Sequence, residues 1–461
     1  MRTTVERELK LDPGEGFQLP ELPGEALESR LFTSTYYDTA ERSLSQAGIT
    51  LRRRVENGLS RWQLKLPRAG FARAELEAGG GPAGPPVEMA ALLVAHLRHA
   101  ALEPVATLRT RRGGVRVREG TTIVADVTLD VVDVLEGARA AGHFAEIEVE
   151  LVDGSESDLE RIGQTLRRAG ARRANGQPKL MRVLPAPPLP EQPDRVRALL
   201  AEQLYALRSH DPGVRLGADP EDLHKFRVAT RRTRAIARAT KPILGDTLRD
   251  LNEELKWLAG ILGPVRDLDV MIDQVRGGVA ELGPDTVAGE EVVSALTMQR
   301  EDLREVMHEA MDSDRYFALL EQFAETIETL PGISDKELAP LAKRELKKLE
   351  RAAHALPDDP EDAALHELRI KAKRARYSAE LLESDKQVTR YIDALKDLQD
   401  VVGEHQDSVV AEDVLRKLSR AKTAVAVGRL VEREHERRKE RRAAYPSAIA
   451  DALRNGHKVF D

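Results

Sequence analysis

The stretch Glu6-Arg7-Glu8-Leu9-Lys10 alternates charge with a second set of side chains. Residues two apart on a β-strand share a face, so Glu6, Glu8 and Lys10 point the same way. The same reading applies further along. Arg52 and Arg54 share a face in Ile49–Arg54, and Lys65 lies in Trp62–Leu66. Arg73 and Glu75, and Arg109 and Arg111, form further same-face pairs, and Glu146, Glu148 and Glu150 line one side of Ala145–Leu151. Val115–Arg118 alternates as well. The opposite faces of several strands carry Leu9, Leu64, Leu66, Ile147 and Val149. Ion pairs on the outer face of an open sheet would explain any one of these pairs. They do not explain why acids and bases are grouped by strand. A closed antiparallel barrel with a polar lumen does. A cationic wall there would grip phosphate oxygens, with Arg giving bidentate contacts. Carboxylates would hold Mg²⁺ or Mn²⁺, hard cations that prefer oxygen.

Composition limits the alternatives. The 461 residues carry a net charge of −7, with 32% charged, 4% aromatic and no cysteine. Disulfides, zinc–thiolate centres and thiol nucleophiles are thereby excluded. The N-terminus lacks the apolar core of a signal peptide. No run approaches the apolar length of a membrane helix, so a cytoplasmic protein without membrane contact is expected.

Residues 1–182 read mainly as strands, with helical patterns at Val87–His99 and Leu159–Ala169. A Pro-rich spacer, 183–193, then separates a region of different character. From 194 to the end, apolar residues recur at three- and four-residue spacing, which predicts an all-α bundle. Breaks are expected at 211–220, near Pro242 and Gly245, and at 330–335 and 356–362. The whole is a multidomain α+β chain.

The helical half repeats itself. His-Lys-Phe-Arg-Val-Ala-Thr-Arg-Arg-Thr-Arg begins at His224, and His-Glu-Leu-Arg-Ile-Lys-Ala-Lys-Arg-Ala-Arg begins at His366, 142 residues later. A second block follows each copy, pairing Gly263 with Gly403 and Asp267 with Asp407. On a helix, His224, Arg227, Arg231 and Arg234 rise along one side, widened by Lys225 and Arg232. His366, Arg369, Lys373 and Arg376 do the same, widened by Lys371 and Arg374. One such stripe is ordinarily a solvated face; two copies, placed on facing halves, make sense around an anion. The aspartates are expected to cap or to pair with basic side chains. The basic run at 433–443 reads as a solvated helix with i,i+4 pairs, and nucleic acid is the disfavoured partner.

With Tyr36-Tyr37-Asp38-Thr39, Leu51–Arg54, Trp62–Pro67 and Glu146–Glu150, the E-x-E-x-K opening resembles the CYTH domain, the triphosphate tunnel metalloenzyme fold, over residues 1–182. The resemblance implies an eight-stranded antiparallel tunnel binding a triphosphate and a divalent metal. By position, it implies metal-side carboxylates at Glu6, Glu8, Glu146 and Glu148, with Asp130 at a further acidic position and Glu150 on the same face. It implies phosphate ligands at Lys10, Arg52, Arg54, Lys65 and Arg109, with Arg111 beside them and Lys179 near the last strand. Glu6, Glu8 and Lys10 are then the catalytic set. Reactions vary within this family. Hydrolysis of inorganic triphosphate comes first, since no base-binding pocket is legible; a non-enzymatic polyphosphate binder and a class IV adenylate cyclase are the alternatives. The duplicated H-x-x-R helices over 194–461 resemble the CHAD domain, which implies two four-helix halves around a basic channel for inorganic polyphosphate.

Overall fold

Alternating sequence folds into eight long strands: β1 (Arg2–Asp12), β2 (Gly24–Asp38), β3 (Thr50–Glu56), β4 (Leu59–Pro67), β5 (Ala72–Gly79), β6 (Glu103–Glu119), β7 (Thr122–Glu136) and β8 (Arg139–Leu151). The structure is a computed structural model and describes residues 1–67 and 72–460. The strands pair antiparallel in the order β5-β4-β3-β2-β6-β7-β8-β1, and β1 returns to β5. That last ladder, from Arg2 opposite Glu77 to Arg7 opposite Ala72, closes the sheet into a barrel. A two-residue strand, β9 (Arg172–Arg173), extends one end of β1.

The hydrophobic core lies outside the barrel wall. Odd-numbered Leu11, Val117, Val127, Ile147 and Val149 face outward, where Leu159, Ile162 and Leu166 of α4 (Glu156–Arg168) cover them. The even-numbered partners on these strands are left to line the lumen. Of the shorter helices, α1 (Ser43–Gln46) follows β2, and the pattern at 87–99 splits into α2 (Val87–Ala91) and α3 (Val94–Leu97) rather than one helix. A last short helix, α5 (Lys179–Val183), sets Leu180 against Tyr36, Leu108 and Val132.

Beyond Pro190 the chain forms a second unit of helices. They are α6 (Arg195–Leu216), α7 (Pro220–Leu244), α8 (Arg249–Val279), α9 (Thr286–Met311), α10 (Asp314–Thr329), α11 (Asp335–His354), α12 (Asp362–Ala379), α13 (Lys386–Leu418) and α14 (Ala424–Phe460). The duplicated motifs fall on α7 and α12, and their second blocks on α8 and α13. Neighbour packing runs α6–α7–α8–α9 in one half and α11–α12–α13–α14 in the other, and α7 meets α12 where the copies join.

Two local expectations change. The break at 211–220 shrinks to its last residues, because α6 runs through Pro212 to Leu216 and ends at the left-handed Gly217. Buried Asp211 pins that turn, accepting from Tyr316 Oη at 2.6 Å and Arg215 Nε at 2.7 Å. The basic run on α14 pairs across helices rather than along itself: Arg441 reaches Glu404 at 2.8 Å, and Arg438 reaches Glu412. Among the described residues, no helix is long and apolar enough to cross a membrane.

Asp38 shows why Tyr-Tyr-Asp-Thr ends a strand. Its buried carboxylate accepts from the backbone N–H of Thr39, Leu44 and Ser45, at 2.8–2.9 Å, and from Ser45 Oγ at 2.6 Å. Replacing Asp38 by Ala strands several buried donors at about 1–3 kcal/mol each. We expect a loss of about 3 kcal/mol or more in urea unfolding, with Asp38→Asn intermediate.

Candidate triphosphate tunnel and helical anion site

Residues directly opposite each other in an antiparallel ladder share a face. Lys10 faces Glu148, Asp130 faces Glu146, and Arg112 faces Asp130. Arg52 faces Tyr36 and Gln63, and Lys65 faces Glu75. All of these except Asp130 and Glu146 line a cavity of about 320 Å³. Their signs are sorted around the ring. β7, β8, β1 and β5 are adjacent and contribute chiefly carboxylates: Asp130, Glu146, Glu148, Glu150, Glu6, Glu8 and Glu75. β4, β3, β2 and β6 are adjacent and contribute chiefly cations: Lys65, Arg52, Arg54, Arg30 and Arg112. The lumen therefore has an acidic wall and a basic wall.

Within the acidic wall two neighbourhoods differ. Asp130, Glu146 and Glu148 have carboxylate oxygens within 4.8 Å of one another. Cations of the chain already meet them. Lys179 Nζ lies 2.9 Å from Asp130 and 2.8 Å from Glu148, and also bonds Glu146. Arg112 donates to both oxygens of Asp130 at 2.7 and 2.6 Å and to Glu148 at 2.5 Å. Lys10 stands 2.9 Å from Glu148. Burial opposes charge on Glu148, yet Lys10, Lys179 and Arg112 outweigh it and hold its acidity well below the usual carboxylate range. Burial likewise opposes charge on Lys179, and the three carboxylates overcome it and raise its pKa.

The second neighbourhood, around Glu6, Glu8, Glu75 and Glu150, shares two lysines: Lys65 lies 3.7 Å from Glu75, and Lys10 lies 3.6 Å from Glu8. Glu6 bonds Lys65 and shares a hydrogen bond with the Glu75 carboxyl. Burial, then that bond, pushes Glu75 up to about 8. Burial, then the nearby Glu6, pushes Glu150 up to about 7. Burial also works against Glu6, but its bonds to Glu75 and Lys65 keep it low. Clustered oxygen donors with surplus negative charge suit a hard divalent cation, so these residues fit the metal expected from the sequence.

Most of the expected tunnel residues come together: Glu6, Glu8, Lys10, Arg52, Arg54, Lys65, Glu148, Glu150 and Lys179 line the lumen, with Asp130 and Glu146 behind Lys179. Arg109 and Arg111 do not. Both are on the outer face of β6. Arg109 pairs with Asp133 there at 2.9 Å, and Arg111 stands opposite the exposed Val131. Inward positions on β6 are even-numbered, so Arg112 takes the place expected of them. Arg-Thr-Arg-Arg is ambiguous in phase, and Asp130, one strand away, was the available signal. Gly114, next on the inward face, brings β6 close to β7: a Cβ there would sit 2.1 Å from the Val127 carbonyl oxygen.

In the helical unit the stripes divide their work. Arg231, Arg234, Lys373 and Arg374 line a cavity of about 340 Å³ between α7, α11 and α12. Arg238, Arg344 and Lys348 join them, the last two from a helix outside both motifs. Arg227 instead donates to the Gly263 carbonyl at 3.1 Å and to Asp267 at 2.9 Å. Arg369 occupies the same place in the second copy, where a Cβ on Gly403 would lie 3.3 Å from its Nη2. Arg232 and Arg376 reach Glu380, at 3.6 and 3.2 Å, and Lys225 stays exposed beside Glu221. His224, Lys225, Arg227, Arg232, His366, Arg369, Lys371 and Arg376 are not in the lining. Burial holds the His224 imidazole below its usual pKa, and nearby Arg266, Arg231 and Arg227 add to this.

Both halves of the chain match known domain families. The CYTH domain profile matches residues 2–178 and the CHAD domain profile residues 198–416. The chain is a CYTH–CHAD protein. A Mycobacterium tuberculosis protein, itself uncharacterized, is 32% identical over 91% of this chain and 90% of its own length. Human thiamine-triphosphatase is 50% identical over 66 residues, 14% of this chain and 27% of that enzyme. The crystal structure of a CHAD domain from Ricinus communis is 26% identical with a TM-score of 0.47, covering 57% of this chain and 94% of the plant domain.

Lys179→Met would leave three buried carboxylates with less compensation. We expect a loss of about 3–5 kcal/mol at pH 7. The stranded carboxylates then have raised folded-state pKa values, so the folded variant binds more protons than its unfolded chain. Its deficit should shrink as pH falls from 7 towards 5. Urea unfolding of both proteins at the two pH values checks this.

Proposed function

We propose that the CYTH domain hydrolyses inorganic triphosphate with Mg²⁺ or Mn²⁺, and that the CHAD domain binds inorganic polyphosphate. The observation that carries the first half is the sorting of charge around the barrel. A polyanion alone needs only the basic wall. A facing acidic wall has a use when a metal is held against the same phosphates. That favours an enzyme over a tunnel that only binds. Similarity to thiamine-triphosphatase supports hydrolysis of a triphosphate, and the lining supports the inorganic one. Tyr36 is the aromatic side chain among the described lining residues, and its hydroxyl already accepts from Arg52 at 3.2 Å. It offers no free ring platform for a base, which disfavours adenylate cyclase.

In this reading Arg52, Arg54, Lys65 and Arg112 bind the phosphate oxygens, as guanidinium and ammonium donors do elsewhere. Glu6, Glu8 and Glu150 hold the metal, with Asp130, Glu146 and Glu148 behind them, balanced by Lys10 and Lys179. A bound divalent cation would neutralise charge on the triphosphate and polarise its phosphorus. Arg54 suits release as well as binding. Burial, then the neighbouring Arg52, lowers it to about 10, so an incoming anion relieves repulsion that the empty wall carries.

The double exchange Glu6→Gln with Glu8→Gln should lower kcat on tripolyphosphate by about 100-fold or more while leaving the melting temperature near that of the parent. Arg112→Ala should cost about 2 kcal/mol, roughly 30-fold in kcat/KM, whereas Arg109→Ala stays within about twofold. A panel of tripolyphosphate, ATP and thiamine triphosphate, reading both phosphate and cyclic AMP, decides the substrate. Full turnover in the double variant would remove the metal role.

The helical half is supported by the cations gathered from both repeats and α11. Burial, then Arg369 and Arg231, lowers Lys373 to about 8, so a bound polyanion should restore its proton. At pH 8.5 to 9, calorimetry in buffers of different ionisation enthalpy should show proton uptake with long polyphosphate. Arg231→Ala with Lys373→Ala should weaken that binding about tenfold or more and reduce its salt dependence, leaving triphosphate hydrolysis unchanged.

A further inference from the structure

The two phosphate-facing cavities differ in one respect that charge does not explain. The tunnel is lined by charged and polar groups almost throughout, including Thr50 and Gln63. The helical cavity has an apolar floor. Ala235 and Ala239 come one turn apart on α7, and Ile370 and the buried Tyr377 face the same space from α12. The cations stand around this floor, with Arg234 and Arg238 on α7 and Arg344 and Lys348 on α11, the last two sharing the lining carboxylate Glu345 at 3.9 and 2.6 Å.

An inorganic polyphosphate has no apolar atoms. It gains nothing from covering alanine and isoleucine, and bringing its charges over them costs hydration. A ligand with phosphates at one end and an organic body at the other uses both parts. Small-molecule sites commonly combine an apolar lining with a few placed polar groups, in cavities of about 300–1,000 Å³. The cavity here, about 340 Å³, falls at the lower end of that range.

We propose that the cavity between α7, α11 and α12 takes a phosphorylated organic molecule of nucleotide size, its phosphates on the arginine and lysine rim and its body on the Ala235–Ala239–Ile370 floor. The inference rests on the reading of the helical domain as an anion binder and adds the chemical class that the floor selects. Such a ligand uses the same cations as polyphosphate and competes with it, so the helical domain reports on the ratio of the two. Lys373 supports this placement. It lines the cavity, and burial, then the neighbouring Arg369 and Arg231, lower its pKa to about 8, a strain that a bound anion relieves.

The test uses the full chain, with ATP, inorganic tripolyphosphate, adenosine and long-chain polyphosphate as probes, in EDTA to suppress turnover. ATP is expected to displace long polyphosphate about tenfold more effectively than tripolyphosphate does, and adenosine not to displace it. Ala239→Leu fills the floor. It should weaken ATP about tenfold while changing tripolyphosphate and polyphosphate less than twofold. Ile370→Ala, which removes floor contact without adding bulk, is the second variant and should weaken ATP about fivefold. Circular dichroism confirms that each variant is folded. Protection of Lys373 from acetylation, read by mass spectrometry, places the ligand in this cavity rather than in the tunnel. If polyphosphate binds but ATP is no better than tripolyphosphate, or both floor variants leave ATP unchanged, the inference is overturned and the anion reading stands. If no polyanion protects Lys373, both fall together.

Discussion

The ladder between β1 and β5 is the constraint on which the N-terminal domain depends. Without it, Glu6, Glu8 and Lys10 would lie on the edge of an open sheet, facing water. Water screens charges that are a few ångströms apart to roughly 1 kcal/mol. Once the ring is closed, alternate side chains of eight strands share one enclosed space, and each charge acts on the others at low dielectric. Sorting the signs onto opposite walls then has consequences. Lys10, Lys179 and Arg112 hold Glu148 ionised, whereas burial, reinforced by Glu6, pushes Glu75 up to about 8 and Glu150 up to about 7.

Closure also inverts the usual arrangement of a small domain. The lumen is polar, so apolar burial must come from outside the wall and from the ends. Helix α4 supplies the first by covering Leu11, Ile147 and Val149. Helix α5 joins the second, setting Leu180 against Leu108 and Val132. The residue before Leu180 is Lys179, so the same short helix that adds apolar packing also delivers the ammonium that balances Asp130, Glu146 and Glu148. Packing and electrostatics are coupled through two adjacent residues.

In the helical domain the repeat serves two purposes that a single stripe of basic residues conceals. Arg227 and Arg369 are fasteners. Each lies over a glycine of the following helix, Gly263 or Gly403, and Arg227 reaches on to Asp267. At Gly403 a Cβ would come 3.3 Å from the Arg369 guanidinium, so glycine eases the approach there, whereas at Gly263 a Cβ would meet Arg227 at an ordinary 3.8 Å. Residues one turn further along, Arg231 and Lys373, are then free to face the cavity. The repetition of Arg, Gly and Asp thus reads as a packing feature, and it is their neighbours Arg231 and Lys373 that line the cavity.

Much of this was legible from local pattern. A two-residue period with acids on some strands and bases on others implied a polar-lined barrel, and a Pro-rich spacer followed by a three- to four-residue period implied a helical second half. The duplicated H-x-x-R helices marked its internal repeat. These features depend on neighbours in sequence, where periodicity alone determines which residues share a face. Which face turns inward is a different matter. It depends on the partner strand, and so Arg112 lines the tunnel while Arg109 and Arg111 face out. Long-range packing likewise put Lys179 among three carboxylates and brought Arg344 and Lys348 to the cavity of the repeats. The sequence by itself determined the period and the chemistry of each segment; the tertiary structure decided phase and partners, because both are set by contacts between residues far apart in the chain.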